Sequence, residues 1–456
     1  MLLATAALAL AAAQAPALTL KPCAVESTRA RCGTYLVPER YAKPQGRKIA
    51  LRVVVVPAWG KQKAPDAVAY LAGGPGGAAT DLTQMLAQEW PELIQHRDLL
   101  LVDQRGTGNS NSFVCAKPTT ALGTSVQIGA YVARCLADFG GDASQYGTRA
   151  AMEDLDRIRA ALGYRKLDVV GGSYGATAAE MYLRLHPESV RSVVLLGATA
   201  LDVPFWDHWA TNAQHALDQV ARRCDTDAAC HKAFPGWKAQ LARLVTRWNA
   251  HPATVARGTT LTGDQLAGLV QGMLLGLDQS VALPHLVARA ARGDYRALNA
   301  ALAAATSAEA ADDASRLVMF WSIWCNEPWV GLGAAGPWHT IFDGAAAASL
   351  AGYRRVCAVF PRRSEPRSLW TMPSSTRVPV LALEGGADPQ DPASNLPGLK
   401  RHFPDSRTIV LPWFGHHFSN SGCIATLITD FVERGTTRGL DTMCVGGLIP
   451  PPFVLR

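Results

Sequence analysis

The junction at residues 167–185 constrains this chain more than any other stretch. A short apolar run, Leu167 to Val170, passes without a linker into Gly171-Gly172-Ser173-Tyr174-Gly175, and the residues from Tyr174 to Leu185 are helix-like up to Pro187. A strand that becomes a helix across residues this small must turn sharply. Such a turn holds the central residue in a strained backbone, lifts its side chain above the end of the sheet and aims the first helix amides at the same place. Glycine-rich β–α turns also bind phosphate. Here the strand before and the helix after favour a turn that presents the Ser173 hydroxyl as a nucleophile.

The flanking sequence repeats the alternation. Leu51 to Pro57, Val68 to Leu71 and Asp98 to Asp103 are β-branched or apolar runs, and Val190 to Leu196 is another. Met152, Leu155, Ile158 and Leu162 recur at helical spacing, with Gly163 at the helix end. Strand–helix alternation of this kind predicts an α/β fold, a mostly parallel sheet with helices on both faces. From about residue 200 the pattern changes to Trp- and Ala-rich helical periodicity, and strand character returns at Val378 to Leu383 and Thr408 to Leu411. We therefore expect core segments at 16–200 and 373–456, with a largely helical cap at 201–372 over the carboxyl ends of the strands, where ligands bind in such sheets.

A serine nucleophile needs an acid and a base, here in the chain order serine, acid, histidine. Asp388 lies just beyond the strand at 378–383, with Asp391 as its local competitor, while Glu384 is too close to the strand. His416 follows the final strand, with His417 adjacent, and His402 falls at the wrong end of that strand. An oxyanion hole would take the Tyr174 amide and that of Gly74, from the Gly73-Gly74-Pro75-Gly76-Gly77 loop after an early strand. No Lys-Ser or Lys-Thr follows that loop, so it is not a phosphate loop. The segment Asp103-Gln104-Arg105-Gly106-Thr107-Gly108 reads as a scaffold turn bracing it. This chemistry requires no metal or organic cofactor.

Composition narrows the partners. A net charge of +7 over 456 residues comes from scattered Lys and Arg with no basic stripe, so nucleic acid is not expected. After the N-terminal segment no apolar run has membrane-spanning length. Residues 1–15, apolar and ending near Ala13-Gln14-Ala15, read as a signal peptide, although no Lys or Arg precedes the apolar part. The ten cysteines are Cys23, Cys32, Cys115, Cys135, Cys224, Cys230, Cys325, Cys357, Cys423 and Cys444. Their even number fits an oxidising compartment, periplasmic or extracellular, and pairing in chain order is the simplest connectivity. No C-x-x-C or Cys/His cluster has zinc spacing.

Five segments together resemble a known family: residues 73–77 (GGPGG), 103–110 (DQRGTGNS), 152–175 (MEDLDRIRAALGYRKLDVVGGSYG), 385–389 (GGADP), and His416 through Gly422-Cys423. They are similar to secreted α/β-hydrolase peptidases, in particular the tripeptidyl aminopeptidase branch of the prolyl aminopeptidase family. The resemblance covers both core segments. It implies the α/β-hydrolase fold, a triad of Ser173, Asp388 and His416, pairing of Cys423 with Cys444, and release of residues from the free N-terminus of peptide substrates. Ala72 departs from the His that many prolyl aminopeptidases carry before this loop, and the cap is too divergent to transfer a specificity pocket. Glu327, in Trp324-Cys325-Asn326-Glu327-Pro328-Trp329, resembles a C-N-D/E segment of that branch. It is expected to meet the substrate ammonium between tryptophan walls; otherwise it is a surface glutamate beside a disulfide. A small-molecule esterase or amidase using the same triad is the alternative, and a non-catalytic binding protein on this fold a more remote one.

Overall fold

The computed structural model describes residues 18–118, 122, 124–311, 314–331, 336–363, 365–419 and 422–456. The expected signal peptide at 1–15 lies outside them. The strands are β1 (Lys21–Val25), β2 (Thr28–Pro38), β3 (Lys48–Val56), β4 (Ala67–Leu71), β5 (Asp98–Val102), β6 (Leu167–Gly172), β7 (Val190–Leu196), β8 (Ala253–Ala256), β9 (Thr259–Leu261), β10 (Val380–Gly385) and β11 (Ser406–Leu411). Among the described residues, nine of them form one sheet in the order β1-β2-β3-β5-β4-β6-β7-β10-β11, and β8 and β9 form a separate hairpin. The first three strands run antiparallel to their neighbours, β3 against β5 included. From β5 to β11 every pairing is parallel.

Parallel strands covered on both faces need apolar side chains at every position, and β4 and β10 are buried throughout. The strand period of two divides their side chains between two cores. Ala67, Ala69 and Leu71 face the helices Thr148–Ala161 and Tyr174–Leu185, through Met152, Leu155, Ile158 and Ala179. Val68, Tyr70 and Ala72 face the other side, where Leu86, Leu93, Leu427 and Phe431 pack. Helices therefore cover both faces.

The chain between β7 and β10 carries the helices Phe205–Thr226, Trp237–Ala250, Gly263–Leu274, Leu283–Ala291, Arg296–Ala311, Ala314–Asn326 and Asp343–Cys357, as well as the β8–β9 hairpin. Trp237 and Trp248 are almost wholly buried within this insert. The ten cysteines form five bonds between chain neighbours: Cys23–Cys32, Cys115–Cys135, Cys224–Cys230, Cys325–Cys357 and Cys423–Cys444. Two of them lie inside the insert.

The turn after β5 is tied down from both sides. Asp103 accepts hydrogen bonds from the Thr80 amide and hydroxyl and from the Asn109 amide, which fixes the segment following the glycine loop. Arg105, with no solvent exposure, makes a two-pronged bond to Asp154 at 2.7 Å on each prong and donates to the Glu39 carbonyl.

Candidate active site

The loops at the carboxyl ends of β4, β6, β10 and β11 converge on Ser173. Its φ of 55° and ψ of −126° place a non-glycine residue in a sparsely populated region. Two neighbours must be glycine for this turn to exist. A Cβ on Gly171 would lie 2.1 Å from the Gly175 carbonyl oxygen, and one on Gly175 would lie 2.0 Å from that of Leu71. The Ser173 amide bonds the Leu196 carbonyl of β7 at 2.8 Å, which locks the turn to the sheet. Tyr174 opens the helix, so its amide belongs to the first turn, whose N–H groups lack partners inside the helix.

Ser173 Oγ is 2.9 Å from His416 Nε2, and His416 Nδ1 is 2.9 Å from Asp388 Oδ2. The other Asp388 oxygen accepts the amides of Gln390 and Asp391 at 2.8 and 2.9 Å, which fixes the carboxylate. The structure thus brings together Ser173, His416 and Asp388. His417 does not reach Ser173; it lines the cavity, and its amide bonds the Leu275 carbonyl of the insert. Asp391 also reaches the histidine, with Oδ2 3.5 Å from His416 Nδ1. Burial opposes the imidazolium, yet the Asp388 charge and hydrogen bond, with Asp391 adding to them, raise the His416 pKa to about 9. Burial raises Asp391, the His416 charge draws it down and the Asp388 charge raises it again. His417 is lowered, by burial and by the charge of His416.

The glycine loop lies against the turn. A Cβ on Gly73 would meet the Gly172 carbonyl at 2.8 Å, and Gly74 adopts a φ of 120°, left to glycine. Gly73 and Gly74 line a cavity of about 510 Å³ with Ser173, His416, His417 and Phe418. On the other side of Ser173 and Tyr174 a space of only about 20 Å³ is walled by Phe205, Trp324 and Trp329 of the insert and by Asp391. Gln390 borders both spaces.

Although its partner Trp329 lines the smaller space, Glu327 is not among the residues lining either of the two. It is 7% exposed, with Oε1 accepting the Thr148 amide at 2.7 Å. Its Oε2 accepts the Thr148 hydroxyl and the Trp329 indole N–H, both at 2.8 Å. Every near partner is thus internal, and the residue is a strut between the insert and the helix Thr148–Ala161. It is not the surface glutamate of the other reading either. Burial pushes its carboxyl up to about 7, against the pull of those donors. The tryptophan walls are present, since Trp324 and Trp329 do line the small space.

The alpha/beta hydrolase fold family matches residues 67–419, from β4 to just beyond His416. The chain belongs to that family. This α/β-hydrolase is 26% identical over 266 residues to the putative hydrolase YuaR of Escherichia coli K12, which covers 54% of this chain and 52% of that one. It is 30% identical over 185 residues to the tripeptidyl aminopeptidase of Streptomyces lividans, covering 36% and 34%. It is 30% identical over 226 residues to serine protease Hip1 of Mycobacterium bovis, covering 44% and 42%. The chain thus spans about half or less of the length of these curated relatives. Among its described residues no helix is long and apolar enough to cross a membrane.

Proposed function

We propose that this α/β-hydrolase is a serine exopeptidase that cleaves peptides near a free N-terminus through an acyl-enzyme on Ser173. The observation that carries this reading is the relay of two 2.9 Å contacts from Ser173 through His416 to Asp388. In it, His416 takes the hydroxyl proton as Ser173 Oγ attacks the carbonyl carbon, and Asp388 holds the ring and stabilises the imidazolium. The Gly74 and Tyr174 amides receive the oxyanion, a donor set worth about 2.7–4 kcal/mol per amide in such sites. The same proton passes to the leaving amine, and water then releases the acyl group.

Two things favour peptide N-termini over other acyl substrates. Relatives of this chain carry the names tripeptidyl aminopeptidase and serine protease. Among the described residues the insert also narrows one side of Ser173 to a space of about 20 Å³ lined by three aromatic side chains, a short subsite rather than a long groove. Export to the periplasm or beyond fits the five disulfides.

The test uses matched chromogenic peptides with a free or an N-acetylated terminus. The free-amine peptide is turned over and acetylation removes most of the rate. Equal rates on both, or a preference for simple esters, would establish the esterase reading instead.

A further inference from the structure

His416 stands before two carboxylates, and the triad uses one. Asp388 Oδ2 is 2.9 Å from Nδ1 and Asp391 Oδ2 is 3.5 Å from the same atom. We propose that Asp391 is a second acid on His416, a positioning residue that shares the imidazole with Asp388 and helps to hold the imidazolium during acyl transfer. This rests on the reading of Ser173 and His416 as nucleophile and base.

The Asp391 backbone amide is held by Asp388 Oδ1, and its carboxylate has anchors of its own. Its Oδ1 accepts from the Thr199 hydroxyl, from the segment after β7, and its Oδ2 accepts from the Gln390 side-chain amide (Nε2) at 3.0 Å. Asn395 donates to the Thr199 hydroxyl at 2.7 Å. Asn212, from the first helix of the insert, donates to the Gln390 carbonyl at 3.0 Å and to the Asn395 side chain at 3.3 Å. A surface carboxylate would swing away from His416 at little cost. Asp391 is 6% exposed, and its two carboxylate anchors, Thr199 and Gln390, are themselves bonded by Asn395 and Asn212, so it keeps its place beside the ring.

The charged and titratable groups around the pair are few. Asp388 and Asp391 face His416 from the turn after β10, and His417 is its chain neighbour. Glu384 of β10 is fully buried near both aspartates, with Glu180 of the helix Tyr174–Leu185 close enough to act on it. Glu384 accepts the Ala198 amide and Glu180 the Leu201 amide, and burial raises both carboxyls well above their ordinary values. Asp388 and Asp391 are the acids whose oxygens come within 2.9 and 3.5 Å of the imidazole. The Nδ1 proton stays on His416 while Nε2 takes the Ser173 proton and passes it to the leaving amine; neither aspartate is protonated by the exchange.

The test is the rate at which a fluorophosphonate labels Ser173 as a function of pH, because it reads the His416 base without reference to any peptide. In Asp391→Asn the rising limb moves toward acid by about one pH unit, the size expected for losing a nearby opposite charge. Asp388→Asn labels with a loss well short of the about 10⁴-fold typical when a triad has a single acid. Asp388→Asn/Asp391→Asn then loses at least tenfold more. Thr199→Val, which removes one anchor of Asp391, shifts the limb in the same direction as Asp391→Asn but by less, and serves if Asp391→Asn does not fold. An unmoved limb in the folded single variants, with the double variant no slower than Asp388→Asn, overturns the proposal alone. A wild-type chain that does not label at Ser173 overturns the reading of the whole site.

Discussion

Gly175→Ala isolates the geometry of the turn. The new Cβ would stand 2.0 Å from the Leu71 carbonyl oxygen, and ordinary contact begins at 3.4 Å, so helix and strand must part by about 1.4 Å. Both are backbone in a packed interior, so no flexible side chain can give way. Overpacking of this kind costs about 1–3 kcal/mol. The same displacement moves Ser173 and the Tyr174 amide, and an error of about 1 Å in a reacting group costs about 100-fold in rate. Gly172→Ala is the control, since its Cβ would meet only the Tyr70 hydroxyl at 3.1 Å, a side-chain end that can shift. Thermal melting and fluorophosphonate labelling of the three proteins read both effects. Gly175→Ala should melt lower and label at least tenfold more slowly, with Gly172→Ala close to wild type. Equal behaviour of the two variants would refute the steric account.

Arg105→Ala leaves the buried Asp154 without its ion partner, and unfolding in urea should reveal a loss of about 3–5 kcal/mol. Glu327→Gln tests the strut through pH. The Glu327 carboxyl sits at about 7 in the folded chain against an ordinary 4.5, so the folded state binds the extra proton. Its contribution is present below pH 4.5 and is lost as pH rises through about 7, so Glu327→Gln should flatten the fall in melting temperature across that window. An unchanged slope would mean that the group does not titrate there.

Much of the site is legible in the sequence because its parts are local. The strand, the turn and the helix around Ser173 are continuous in the chain, and Asp388 and His416 follow their strands by a few residues. The buried parallel strands also announce themselves: Val190 to Leu196 is β7 residue for residue. The first two strands, β1 and β2, do not. In β2 buried and exposed positions mix, with Arg29 and Arg31 on one face, so no apolar run marks it. The β8–β9 hairpin is too short to stand out among helices. The burial of Glu327 is not legible because its partner Thr148 is 179 residues away, a distance no local pattern spans. Asp391 competes with Asp388 in the sequence for another reason. They share one turn, and the fold brings both to the same imidazole.

The central claim is that Ser173 is the nucleophile. Mass-spectrometric mapping of the adduct formed by the folded wild-type chain with a fluorophosphonate tests it most directly. The account predicts one adduct per chain on Ser173, abolished in Ser173→Ala while the melting temperature holds. An adduct on another residue, or retained peptide turnover in Ser173→Ala, would contradict it.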